Sequence, residues 1–296
     1  MGVLRSPHAM RRDESCLYTL FHSPREHHEE ILARVVIPVV HELRDADDLD
    51  CIFFARYSEP DWQLRFRVLG RPAWVDGPVR RRIQSALPEV VEAGLATGID
   101  FATYDREWDR YGGERGMYLS EKVFLHDSLA SLDLIEAENR GETTKGRREY
   151  SLLFVERFLD LMELDRATRL AFYEFGHSWP IRDGDWSQDD MTTLGTKYDA
   201  LKPGLIDLFR TVGTDPSAAW GGPRAAEIAA GALARLRPVA GEIRAGLADG
   251  TIDANPIPLV WSYMHMHCNR LGIDAMPEAI LRYFMWRLHA EVDLAA

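Results

Sequence analysis

The chain has 296 residues, enough to bury one large core or two packed lobes, and its 46% hydrophobic and 28% charged content is ordinary for a globular protein. A formal net charge of −12 argues against nucleic-acid binding driven by broad phosphate neutralisation. No apolar run reaches the roughly 18 residues of a membrane span, and the stretch holding Arg5, His8, Arg11, Arg12 and Asp13 lacks an apolar signal core.

In chain order, Leu17 to Phe21 reads as a short strand. A helix is then expected from Ser23-Pro24-Arg25-Glu26, with Ser23 as N-cap, running through Ile31, Val35 and Val39 toward Leu43. Its interior Pro38 should kink it or end its first half. Cys51 to Tyr57 is mostly apolar, as a central strand would be, and Gln63 to Leu69 alternates. The intervening Ser58-Glu59-Pro60-Asp61 is turn chemistry, which predicts an antiparallel hairpin. Val79 to Glu92 reads as a helix, and Gly98 to Tyr104 as a strand returning to the sheet.

Beyond Gly112-Gly113 the chain turns helical: Met117 to Asn139, Tyr150 to Met162, Arg166 to Phe175, Met191 to Val212, Arg224 to Leu247, Ile257 to Leu271 and Pro277 to Val292. The connections Arg140 to Gly146 and Arg182 to Asp185 are polar and read as mobile loops. The expected fold is α+β, an antiparallel or mixed sheet built mainly from the N-terminal third and packed with a largely helical C-terminal two-thirds. An exposed strand edge in that first third would let a second copy pair with it, so a homodimer is expected to be accessible.

The three cysteines, Cys16, Cys51 and Cys268, are too scattered for a disulfide framework or a CxxC metal knuckle, and the expected compartment is a reducing cytoplasm. Arg71, Arg80, Arg81 and Arg82 form a local basic run that suits either an acidic peptide or a solvated helix face.

Three islands carry groups capable of chemistry. Arg65 and Arg67 share a strand face about 7 Å apart, a spacing that suits either two carboxylates of one ligand or a surface ladder of ion pairs. Tyr104 to Gly113 combines Asp105, Arg106, Glu107, Asp109 and Arg110 with a double glycine that permits a tight turn, and it reads either as a pocket-lining segment or as a charged loop entering a helix. Trp261 to Gly272 holds His265, His267, Cys268, Asn269 and Arg270. On a helix, His265 and Asn269 share a face, an arrangement that can fix an imidazole tautomer for acid–base work or simply satisfy a core histidine. The spacing is not that of a zinc site, and there is no GxGxxG, Walker or GxSxG signature, so no metal or cofactor is expected.

In their order along the chain, Phe53-Phe54-Ala55-Arg56-Tyr57-Ser58-Glu59-Pro60, Leu64-Arg65-Phe66-Arg67, Tyr104 to Gly113, Phe124-Leu125-His126-Asp127-Ser128 and His265 to Leu271 resemble the lantibiotic-dehydratase C-terminal family, also called the thiopeptide-type bacteriocin biosynthesis domain. The resemblance covers nearly the whole chain and implies one domain over residues 1–296. It departs from the pattern at Gln63, where many relatives carry His directly before the Leu-Arg-x-Arg run.

In full-length members an N-terminal region esterifies Ser or Thr of a precursor peptide with glutamate from glutamyl-tRNA, and the C-terminal domain eliminates the glutamate. The resemblance therefore implies a free-standing elimination subunit that uses no cofactor. Its expected partners are the leader and core of a ribosomally made peptide and a tRNA-dependent glutamylating protein, with no direct nucleic acid and no membrane. Catalytic roles fall on His265, Arg67 and Arg110, and substrate binding on Arg65, Glu107, Tyr111 and Asn269. The same family also implies an alternative, a pyridine synthase joining two dehydroalanines in a formal [4+2] cycloaddition with macrocyclisation and leader release. A third reading is a non-catalytic leader-binding partner.

Overall fold

A computed structural model describes residues 14–292, so the N-terminal arginines named above lie outside the described residues. The chain divides into two compact units, Met1–Asp105 and Arg106–Ala296.

The first unit opens with β1 (Ser15–His22), followed by a 3-10 turn (Arg25–His27), α1 (His28–Ile31), a π turn (Leu32–Val36) and α2 (Ile37–Leu43). The hairpin β2 (Leu49–Tyr57) and β3 (Gln63–Gly70) leads into α3 (Pro72–Trp74), a second π turn (Val75–Val79), α4 (Arg80–Glu92) and β4 (Gly98–Ala102). The sheet runs in the order β2-β3-β1-β4, and its pairs are antiparallel.

Leu17 and Phe21 share a face with Leu64, Phe66, Val68, Ile52 and Phe54, and all are buried together with Ile31, Leu32, Val35, Val36, Val75 and Val79 from the helical segments. Complete burial of each such side chain is worth roughly 1.5–3 kcal/mol, which makes this face the unit's core.

Two expectations change here and two are resolved. β2 is an edge strand, not a central one; its apolar run Cys51–Ala55 reflects burial on both faces rather than lateral position. Ser23 does not cap the helix, whose start has no side-chain cap. Its buried hydroxyl donates to the Leu95 carbonyl (2.6 Å), while its own carbonyl meets His28 Nε2 (3.1 Å). Pro38 does interrupt the α-helix, by means of a π turn: the bond its missing N–H cannot make is accommodated by widening the turn before it. Pro78 sits inside the second such turn. The basic run is an ion-paired surface, with Arg71 on Asp48, Arg80 on Asp76 and Arg82 on Glu42.

The second unit is helical: α5 (Gly113–Asn139), α6 (Arg147–Leu161), α7 (Arg166–His177), α8 (Trp179–Arg182), α9 (Gln188–Thr214), α10 (Pro216–Trp220), α11 (Pro223–Asp249), α12 (Pro256–Arg270) and α13 (Ala275–Glu291). α5 packs against α11 and α12, and α13 against α7. Helix starts follow local chemistry: Ser187 and Asp190 close a capping box on α9, and Asp165, Asp215 and Asn255 cap α7, α10 and α12.

The segment Arg140–Gly146 is not a free loop. Thr144 donates both its backbone N–H (2.7 Å) and its hydroxyl (3.1 Å) to the Gly221 carbonyl. Arg182, expected in a second loop, instead ends α8. Among the described residues no helix is long and apolar enough to cross a membrane.

Two histidines, buried His28 and half-buried His126, tie this fold to pH. Burial, then the nearby charge of Arg56, pushes His28 down to about 4. Burial, then Arg235 and Lys122, pushes His126 down to about 4 as well. The unfolded chain therefore binds more protons than the folded one between about pH 6.5 and 4, and stability falls as pH drops through that window. The expected result is a thermal midpoint that declines from pH 6.5 to 4 in the wild type, with a shallower slope in His126→Gln relative to that variant's own midpoint at pH 7.

Candidate functional site

In the first unit, the β1–β3 and β2–β3 registers place Tyr18 and Phe53 on either side of Arg67. The Arg67 guanidinium carbon lies 3.9 Å from the Tyr18 ring centroid, 5.0 Å from Phe53 and 5.2 Å from Tyr104, a three-ring nest. Arg67 is buried, and its Nε has no hydrogen-bond partner. Arg65, two residues along the same face, stacks at 3.6 Å over Tyr57 and donates from Nε to Gln63 Oε1 (3.1 Å). Neither forms an ion pair among the described residues, so the sheet does not build the ion-paired ladder. It holds two positive charges on ring faces, which attract a cation without neutralising it.

In the second unit, Gly112 and Gly113 have φ of 77° and 86°, the left-handed conformation that starts α5. A Cβ on Gly112 would stand 2.6 Å from Ile252 Cγ2, so glycine is required there for space as well as dihedral. This turn brings the preceding residues to α12. Tyr111 is buried and stacks on Tyr263 (6.0 Å, 13°), and Arg110 Nε donates to Ser262 Oγ (3.2 Å). Glu107 pairs with Arg110 at 3.0 Å on the exposed side. The neighbouring Arg106 takes Glu121 of α5 bidentately, at 2.7 and 3.2 Å.

The two α12 histidines have different surroundings. His267 is buried, its Nδ1 2.6 Å from Asp127 Oδ1, and its ring lies flat against Phe154 (4.4 Å, 10°). Arg270 donates to the other oxygen of Asp127 at 2.5 Å. Burial would raise the Asp127 carboxyl, but the charges and hydrogen bonds of His267 and Arg270 outweigh it and hold the carboxyl below its ordinary range. A second sealed cluster joins Glu156 to His289 (2.8 Å), Arg169 (2.8 Å) and Tyr173.

The third cluster is open. His265 Nδ1 lies 2.6 Å from Glu278 Oε2, and Arg282 donates to Glu278 Oε1 at 3.1 Å. Glu278 is buried, and burial pushes it up, but the hydrogen bond and charge of His265, then Arg282, keep the carboxyl ionised below its ordinary range. An ionised carboxylate only accepts, so Nδ1 carries the proton of this contact and Nε2 is the ring nitrogen left to exchange a proton with a bound molecule. The ring stacks on Trp261 (4.9 Å, 10°) and stays 28% exposed. His265 lines a pocket of about 300 Å³ with Phe175, Trp179, Arg182, Trp261 and Ala275, and Glu278 at its wall. Of these three carboxylate–histidine clusters of the second unit, this is the one whose imidazole lines the pocket, and it is the candidate proton-transfer group.

Asn269 does not fix this tautomer, contrary to expectation; Glu278 from α13 does. Cys268 is buried beside Ser151 and Arg282, and burial pushes its thiol up to about 12, so it is a neutral core side chain. The structure thus gathers Arg65 and Arg67 on one face of the first unit, and Glu107, Arg110 and Tyr111 against the helix that carries His265 and Asn269 in the second. Sequence reasoning missed Glu278, Trp261, Trp179 and Arg182. Glu278 lies in the first turn of α13, and spacing along one helix has no means of reporting a partner on the next.

The profile of the family "Lantibiotic biosynthesis dehydratase C-term" matches residues 17–289. The chain belongs to that family. Among its relatives is the subtilin biosynthesis protein SpaB of Bacillus subtilis, 26% identical over 161 residues, covering 54% of this chain and 15% of SpaB.

Among solved structures, the tRNA-dependent lantibiotic dehydratase MibB from Microbispora sp. 107891 superposes with a TM-score of 0.70 at 20% identity, over 97% of this chain and 29% of MibB. TsrL superposes at 0.68 with 18% identity, over 95% of this chain and 97% of TsrL. TbtD, the pyridine synthase from thiomuracin biosynthesis, superposes at 0.64 with 14% identity, over 94% of this chain and 98% of TbtD. The chain therefore spans a minor part of SpaB and MibB but nearly all of TsrL and TbtD.

The contrast between sealed and open clusters is measurable by unfolding. Asp127→Ala leaves buried Arg270 without its counter-charge and is expected to cost roughly 3–5 kcal/mol in urea denaturation. His265→Ala, at a half-open site, is expected to cost no more than about 1–2 kcal/mol.

Proposed function

We propose that this chain carries out the elimination half of peptide dehydration. It releases glutamate from glutamylated Ser or Thr of a ribosomally made precursor peptide, leaving dehydroalanine or dehydrobutyrine. The ester is made by a tRNA-dependent glutamylating partner. The observation that carries this reading is the pair Arg65 and Arg67, held on aromatic faces with no carboxylate partner among the described residues. Uncompensated guanidiniums suit a substrate whose leaving group is a dicarboxylate.

The chemistry follows from the α12 geometry. His265 Nε2 takes the Cα proton of the esterified residue, and the electrons of that C–H bond form the Cα=Cβ double bond. The Cβ–O bond breaks, and its electron pair leaves on the α-carboxylate of glutamate. Glu278 orients the imidazole and offsets the positive charge it gains. Arg67, Arg65 and Arg110 provide positive charge for the departing anion; Glu107, Tyr111 and Asn269 belong to the surrounding substrate surface.

Purified protein given a glutamyl-ester precursor peptide is expected to release glutamate, with loss of the ester mass by mass spectrometry. Arg67→Ala and His265→Ala should leave the glutamylated peptide to accumulate, with rates down by roughly 10²-fold or more. Wild-type turnover in both variants would refute the assignment. Conversion of a bis-dehydroalanine peptide to a pyridine macrocycle, with the glutamyl ester untouched, would replace elimination with cycloaddition.

A further inference from the structure

The pocket beside His265 has a second polar feature that the mechanism above leaves unused. Arg182 closes α8 at the pocket's edge, is exposed, and forms no ion pair among the described residues. The one carboxylate in the pocket wall, Glu278, is already engaged by His265 and Arg282. Arg182 therefore brings a positive charge that the pocket does not neutralise. Between it and the imidazole the walls are the apolar faces of Phe175, Trp179 and Trp261, with Phe175 edge-on to Trp261 at 5.5 Å. A pocket with a proton acceptor, aromatic walls and a free guanidinium at its rim fits a short aliphatic chain that ends in a carboxylate.

We propose that this pocket is the leaving-group subsite, with Arg182 holding the side-chain carboxylate of the glutamyl unit while its two methylenes lie against Trp179 and Trp261. The assignment rests on the elimination reading and says which end of the departing group the second unit recognises. The side-chain carboxylate is charged before and after the reaction, so Arg182 acts in binding and selection and not in stabilising charge that develops. An ester of glutamine, of the same shape but uncharged at that end, is accordingly a poor substrate.

Binding is separable from turnover because Trp179 and Trp261 line the pocket and report its occupation by fluorescence. L-glutamate titrated into the wild-type protein is expected to change the emission, with L-glutamine binding roughly tenfold or more weakly, as loss of one charge-assisted contact implies. Arg182→Ala should abolish that preference and Arg182→Lys keep part of it. With the glutamylated peptide, Arg182→Ala should raise KM well beyond its effect on kcat, the reverse of His265→Ala.

Absence of glutamate binding to the wild type, or a preference over glutamine unchanged in Arg182→Ala, overturns the subsite. If that happens while the wild type eliminates glutamate, elimination stands and only the subsite falls. If instead binding depends on Arg182 but the ester is never turned over, the pocket remains a carboxylate-binding site, and its leaving-group role falls with the elimination reading.

Discussion

A carboxylate removed from water has to be matched by positive charge and hydrogen bonds, and in the second unit Asp127, Glu156 and Glu278 each meet that demand with a histidine and an arginine. Glu278 is the one on which the candidate chemistry depends. His265 and then Arg282 keep the carboxylate ionised; without an ionised acceptor, the His265 ring would have no fixed tautomer. Asp127 and Glu156 follow the same rule in the interior, where their histidines are buried against the carboxylates they pair with. The candidate proton-transfer group is the same core arrangement opened to a cavity on one side.

The first unit treats charge differently. Arg67 is as buried as many core residues, yet its surroundings are rings from three separate places in the chain, Tyr18 on β1, Phe53 on β2 and Tyr104 beyond β4. A salt bridge would have fixed the guanidinium and cancelled it. Aromatic faces fix it while leaving its field available, which suits a group whose work is to meet an anion that arrives later.

Period-two alternation identified β3 and the shared face of Arg65 and Arg67, and the crowding of polar groups in an apolar helix marked His265, because both signals are local. The antiparallel hairpin followed too, since the Ser58–Asp61 turn joins β2 and β3. What was not legible was relational. Apolarity in Cys51–Ala55 reports that a strand is covered, not where it lies in the sheet. Ser23 had the composition of a cap, but its hydroxyl was claimed by a carbonyl 72 residues away. Asn269 was the nearest amide to His265 on the helix, whereas the partner came from the following helix, which no periodicity within α12 encodes.

The αL pair at Gly112 and Gly113 has a consequence for how this surface can diversify. Because Gly112 leaves no room for a side chain beside Ile252, the entry into α5 is fixed in place, and with it the approach of Arg110 and Tyr111 to α12. Sequence drift in the preceding charged residues then changes which groups are displayed without shifting the frame that displays them. One glycine turn thus separates what the surface displays from the frame that holds Arg110 and Tyr111 against α12.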